Sequence, residues 1–308
     1  MKLRVTHETR YNYEPVVETA HHMAYLRPRH GVHQQLLNHS LHITPTPAQI
    51  RHVVDVFGNV RCFFSIQAPH ASLVVLAESV VTTVSYPLPM STITWEQARA
   101  YFEYHCGGRY DSACEFVFAS VPLHPEFVAY AAPSFAPGTR LLEAAIDLMQ
   151  RNHRDFVYES QSTQINTPVL QALAQRKGVC QDFAHILIAC LRSMGVAARY
   201  VSGYLLTQAL PGTVKLRGSD ASHAWVSVYV PDLPAGERWC DLDPTNNRSG
   251  LHAPGEDFVT LATDRDFFDV SPIRGIIHGG ASHNLSVSVT VLPVSDDDHA
   301  LSQSQSQT

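Results

Sequence analysis

Residues 178–195, Gly-Val-Cys-Gln-Asp-Phe-Ala-His-Ile-Leu-Ile-Ala-Cys-Leu-Arg-Ser-Met-Gly, constrain the fold more than any other stretch of the chain. Phe183, Ile186, Leu187, Cys190, Leu191 and Met194 recur at helical spacing and make one apolar stripe. Gly195 follows as a natural helix stop. A helix with such a stripe must bury it against another layer. Segments rich in Val, Tyr and Trp come next, at 198–206, 223–230, 238–244 and 284–294, and read as strands. Helices followed by a run of strands point to an α+β domain.

The rest of the chain divides by texture. Residues 1–85 read as a β-rich, sandwich-like N-terminal domain, with strand-like runs at 2–13, 39–45, 50–66 and 72–84. Phe57-Gly58-Asn59 marks a hairpin turn inside the third run. Residues 86–140 are proline-rich with short helical pieces and read as a connector packed across both domains. Residues 141–292 form the α+β core. Its first helical stretch, 141–159, carries Leu142, Ala145, Ile146 and Met149 on one face. Its second, 167–178, has Thr167 as N-cap, Pro168 at the first helical position and Gly178 just past the end. Residues 293–308 are polar and repetitive, the composition of a disordered tail.

Charge and composition exclude several classes. The chain has 308 residues, 45% of them hydrophobic, and a net charge of -6. It has no long basic run, so nucleic acid is not expected as a partner. No apolar leader opens the sequence, and the stretch 72–84 is interrupted by Glu78 and Ser79 and too short to cross a bilayer. A cytoplasmic protein without membrane contact is expected. Its six cysteines are then expected as thiols, and none forms a Cys-x-x-Cys pair. The 18 histidines are mostly scattered and read as surface or packing residues.

Cys180 is the exception among the thiols. It lies on the apolar stripe but at the helix's first turn, where unpaired N–H groups and the macrodipole favour negative charge. Its own N–H is placed to donate to an oxyanion, and Gly178 leaves room for a close approach. Asp182, nearby and negative, opposes a thiolate. A cysteine nucleophile also needs a histidine base and a group that orients it.

Residues 219–247 read as a hairpin that supplies both. If Val230 lies opposite Arg238, Trp225 lies opposite Asp243, and His223 is one same-face step away. A slip by one residue would put His223 and Asp243 on opposite faces. Asp241 shares the parity of Asp243 and competes with it; Asp243 stands nearer the strand end that meets His223. His185 is about 140° around the helix from Cys180 and is read as a packing residue, which also argues against a metal site with Asp182. Cys190 and Cys240 read as core.

These residues resemble a known family. Gly178-Val179-Cys180 with Asp182, the helix ending at Gly195, His223-Ala224-Trp225 and Asp243-Pro244-Thr245 are similar to the transglutaminase-like superfamily, and more narrowly to bacterial members regarded as cysteine proteases with a β-rich N-terminal region. The resemblance covers nearly all of residues 1–292. It implies a papain-like, transglutaminase-like α+β core with Cys180 as nucleophile, His223 as base and then acid, and Asp243 as the orienting carboxylate. Gln181 stands where animal transglutaminases have Trp, and no calcium loop is visible.

The expected activity is therefore a cofactor-free, metal-free amide hydrolysis of a peptide or protein substrate through an acyl-enzyme thioester. Transfer to an amine acceptor, or peptide binding without catalysis, are the alternatives. Gln181, as a second oxyanion donor, and Tyr204 and Trp225, as cleft walls, are candidate substrate contacts, with core packing an equal reading for the two aromatics.

Overall fold

The structure is a computed structural model and describes residues 1–103, 110–120, 122–160, 162–164, 166–207, 222–280 and 282–294. Cys106 and the tail from residue 295 lie outside the described residues. The strands are β1 (Lys2–Ala24), β2 (Gln34–Thr44), β3 (Gln49–Val54), β4 (Val60–Ile66), β5 (His70–Thr83), β6 (Val157–Tyr158), β7 (Lys177–Gly178), β8 (Ala198–Leu205), β9 (Ser222–Tyr229), β10 (Trp239–Asp243), β11 (Arg248–Leu251), β12 (Phe258–Asp264), β13 (Ile273–Gly279) and β14 (Ser282–Pro293). The α-helices are α1 (Trp95–Tyr101), α2 (Pro125–Ala131), α3 (Leu141–Asp155), α4 (Val169–Gln175), α5 (Cys180–Ser193) and α6 (Phe267–Val270).

The five N-terminal strands, with β13 and β14, form one antiparallel, seven-stranded sheet built around β1. Leu3 pairs with Val81 of β5 and with Pro293 of β14; Ala24 pairs with Cys62 of β4 and Ile273 of β13. Thus β1 has neighbours on both edges along most of its length. This corrects the sequence reading, which left residues 273–292 in the α+β core. Without β13 and β14, one edge of a 23-residue strand would expose its backbone donors and acceptors. The turn at Gly58 forms as expected, with Asp55 Oδ1 accepting from the Phe57 and Asn59 N–H groups.

The second sheet has the order β11-β10-β9-β8-β12, all antiparallel. Val226, Val228, Cys240 and Leu242 share one buried cluster with the α5 residues Phe183, Ile186, Leu187 and Leu191. Burying such side chains contributes about 1.5–3 kcal/mol each, which holds α5 against the sheet. Helix α5 stops as its sequence dictates. Gly195 takes φ +80°, its N–H donates to the Arg192 carbonyl, and the Val196 N–H reaches back to the Leu191 carbonyl. Leu3, Val5 and Val81 of the first sheet belong to the same cluster, as do Ala98, Phe127 and Tyr130 from the proline-rich stretch. One core therefore runs through both regions.

Two helix boundaries differ from the sequence reading. Helix α3 ends at Asp155, because residues 157–158 leave it to pair in parallel with residues 177–178. Helix α4 starts after Pro168, and Thr167 Oγ1 accepts from the Gln164 N–H instead of capping it. It ends at Gln175, where Arg176 adopts the left-handed conformation (φ 55°), two residues before Gly178.

Candidate active site

Cys180 is the first residue of α5, with Val179 as N-cap in extended conformation. Its N–H lies in the first turn, where no intrahelical acceptor exists. Asp182 fastens this start: its Oδ2 accepts from the Val179 N–H at 2.8 Å and the Thr163 hydroxyl at 2.6 Å. Gly178 is explained by the same contact. A Cβ there would come within 2.6 Å of the Asp182 side chain, so the close approach that the sequence reading allowed a backbone or substrate is made by the Asp182 side chain. The Cys180 thiol is partly exposed, and its Sγ lies 3.9 Å from the Ser222 carbonyl oxygen at the start of β9.

The hairpin has the register the sequence reading assumed. Tyr229 pairs with Trp239, Ser227 with Asp241 and Val226 with Leu242, and the Val230 N–H donates to the Arg238 carbonyl. His223 and Asp243 consequently share a face, and His223 Nε2 donates to Asp243 Oδ2 at 2.8 Å. Burial alone would lower the His223 pKa. The hydrogen bond and charge of Asp243, with a smaller contribution from a hydrogen bond to Cys180, outweigh it and raise the value to about 10. With Nε2 on Asp243, Nδ1 is the ring nitrogen left for the thiol.

Four donors converge on Asp243. Oδ2 also accepts from Asn246 Nδ2 at 2.7 Å, and Oδ1 accepts from the Thr245 and Asn246 N–H groups at 2.9 and 3.3 Å. Asn246 Nδ2 stands 3.3 Å from His223 Nε2. From α3, His153 Nδ1 bonds the Pro244 and Thr245 carbonyls and ties the turn to the helical layer. Asn246 and His153 escaped the sequence reading. An Asx-type turn at Asp-Pro-Thr-Asn was the available signal for Asn246. Tyr158 was also missed; it is exposed, pairs beside Gly178, and its pKa is raised by burial and then by Cys180.

The remaining candidates separate. Asp241 is not on His223: its Oδ2 accepts from the Trp225 indole at 2.7 Å. Trp225 is fully buried, stacks on His223 (6.0 Å between centroids, 27°) and meets Phe258 edge-on, so it backs the imidazole instead of lining a cleft. Tyr204 is buried too. Its hydroxyl bonds His7 Nδ1 at 2.8 Å and joins the two sheets, so it presents no surface to a substrate. Gln181 is partly exposed next to Cys180. His185 accepts from the Phe267 N–H and packs on Tyr200, a structural role as expected. Cys190 and Cys240 are buried core thiols.

Comparison with known proteins agrees with this architecture. Residues 3–82 match the bacterial transglutaminase-like N-terminal region, and residues 129–244 match the transglutaminase-like superfamily. The uncharacterized protein Rv2569c of Mycobacterium tuberculosis is 39% identical over 306 residues, covering 96% of this chain and 94% of its own. The uncharacterized protein ML0607 of Mycobacterium leprae is 32% identical over 94% of this chain and 98% of its own. A solved structure from Cytophaga hutchinsonii, described as a "putative cysteine protease", superposes with a TM-score of 0.68 at 21% identity, covering 96% of this chain and 92% of that one. Among the described residues, no helix is long and apolar enough to cross a membrane. With a β-rich N-terminal sheet, a helix that starts at a cysteine and a hairpin that pairs histidine with aspartate, the chain belongs to the bacterial transglutaminase-like superfamily.

Proposed function

We propose that the protein is a thiol-dependent amide hydrolase acting on a peptide or protein, with Cys180 as nucleophile, His223 as base and then acid, and Asp243 as its orienting carboxylate. The observation that carries this reading is the 2.8 Å His223–Asp243 hydrogen bond beside a thiol at a helix N-terminus. The Cys180 proton passes to His223 Nδ1 first, where the raised pKa of the imidazole keeps it at neutral pH, and Sγ then bonds to the substrate carbonyl carbon. In this reading the Cys180 N–H and the positive end of α5 meet the oxyanion that develops, and the Gln181 amide donates the second hydrogen bond. His223 returns the proton to the leaving amine as the C–N bond breaks, leaving a thioester. Water then gives its proton to His223, bonds to the acyl carbon and releases the thiol. The Cytophaga protein's description as a cysteine protease favours water over an amine as acceptor.

A peptide-library digest with and without a primary amine, read by mass spectrometry, tests the reaction class. Free carboxylic acids in both arms are expected. Amine-capped products would replace hydrolysis by acyl transfer, and intact peptides with no acyl adduct on Cys180 would make the site a binding module.

Asn246 acts here as a positioning residue. Its amide donates to Asp243 and steadies the oxygen that holds His223. A hydrogen bond to a charged group is worth about 1.5–3 kcal/mol. Asn246→Ala is expected to lower kcat about tenfold, the smaller part of that energy, with KM nearly unchanged. A KM effect with constant kcat would instead place Asn246 in substrate binding.

A further inference from the structure

The face of the second sheet away from α5 carries a polar row. Arg199 of β8 pairs with Ser227 of β9, which pairs with Asp241 of β10, so the three side chains stand side by side. Arg199 and Asp241 border a cavity of about 230 Å³, far above the roughly 10–15 Å³ that one water needs. Arg29 and His33, from the segment between β1 and β2, and His252, just after β11, complete its walls. Arg199 lies 4.0 Å over the Trp239 ring, and the His33 and His252 rings stack at 5.7 Å. The mouth at His30, Gly31 and Gly236 is exposed, so a solute can enter.

Among the described residues, buried polar atoms of this row are left incompletely paired. Arg199 Nε lacks an acceptor among the described residues, and Asp241 Oδ1 has at most the neighbouring Ser227 hydroxyl as donor, while its Oδ2 is held by Trp225. Leaving such groups unmet costs about 1–3 kcal/mol each. A simple anion would satisfy Arg199 and be repelled by Asp241; a simple cation would do the reverse. A ligand with both charges satisfies both. Arg29, whose Nη1 already bonds Asn59 and Thr263, adds a second positive charge to the lining. Asp55 beside Arg29 and Glu237 near His252 are the other charges in range. Burial holds both imidazoles below their ordinary pKa, His33 at about 4, so they are neutral at pH 7.

We propose that this cavity binds a free α-amino acid, its carboxylate on Arg199 and its ammonium on Asp241 Oδ1. The site lies behind the catalytic imidazole, not in front of it. Trp225, bonded to Asp241 and stacked on His223, separates the two. The ligand is thus distinct from the peptide bound at Cys180.

Calorimetric titration of the full chain carrying Cys180→Ala tests this without turnover. The probes are the free amino acids one by one, with acetate and methylammonium as separate halves. At least one amino acid is expected to bind at least tenfold more tightly than either half, and Arg199→Gln is expected to weaken it at least tenfold. If Arg199→Gln does not fold, His33→Trp narrows the cavity from its partly exposed lip, and the same loss is expected. No heat with any amino acid, as for a cavity holding only water, overturns the proposal. So does binding no tighter than acetate, or binding that survives in the folded variant.

Discussion

At pH 6–7, iodoacetamide is expected to label Cys180 at least about 100-fold faster than Cys62, Cys190 or Cys240, and His223→Ala is expected to remove that advantage. The other thiols are poor competitors for a physical reason. Burial pushes Cys62 up to about 11 and Cys190 and Cys240 to about 12. Cys114, partly exposed and outside any disulfide, is the accessible thiol for comparison. At Cys180 the relevant charge is on the neighbour. His223 is raised to about 10, so its ring stays protonated through neutral pH and sets a positive charge beside the sulfur. The window follows from that value. The imidazolium–carboxylate pair contributes fully below about 6.5 and is lost as the pH rises through about 10. The labelling advantage should therefore hold from pH 6 to 9 and fade above 10. Circular dichroism of His223→Ala checks that the fold survives. Unchanged labelling in a folded His223→Ala protein would remove His223 from the role of base.

How far the sequence reaches is visible in particular residues. The hairpin register was legible because alternation and a short Pro/Gly loop leave few pairings, and one correct pair, Val230 with Arg238, fixes all the others. The α5 helix was legible because its stripe and its glycine stop are local signals. The return of β13 and β14 to β1 was not. Pairing Leu3 with Pro293 joins residues at opposite ends of the chain, and no local pattern encodes that choice. Trp225 and Tyr204 show a different limit. Each carries a polar tip, which suits a cleft wall as well as a buried hydrogen bond, and only the partners Asp241 and His7 decide. Gly178 was misassigned for the same reason: the residue that needed the space, Asp182, lay four positions along the chain, and its side-chain direction was not legible. Asp241 and Asp243 share a face two residues apart; closeness to the strand end favoured Asp243, and the partners His223 and Trp225 tell the two apart.

Asp243→Asn is expected to lower kcat by about 10⁴-fold while leaving substrate affinity nearly intact. The change is nearly isosteric, yet every contact of Asp243 is with a donor. His223 Nε2 and Asn246 Nδ2 meet one oxygen; the Thr245 and Asn246 N–H groups meet the other. A carboxylate accepts on both sides. An amide accepts on one, and either flip of Asn points its NH₂ at two donors. One flip breaks the turn at residues 244–246; the other abandons His223. A buried donor without an acceptor costs about 1–3 kcal/mol, so stability should fall by a similar amount. The charge is lost as well, and with it the interaction that overcomes burial at His223. Its pKa should then drop from about 10 to below 6.5, which an NMR titration of the imidazole would follow directly. That readout separates orientation from mere packing: a destabilised site with an unaltered His223 titration would mean that Asp243 only shapes the turn. Asp241→Asn makes the matching control, since its carboxylate faces Trp225 and the far cavity, and it should leave His223 titrating close to 10.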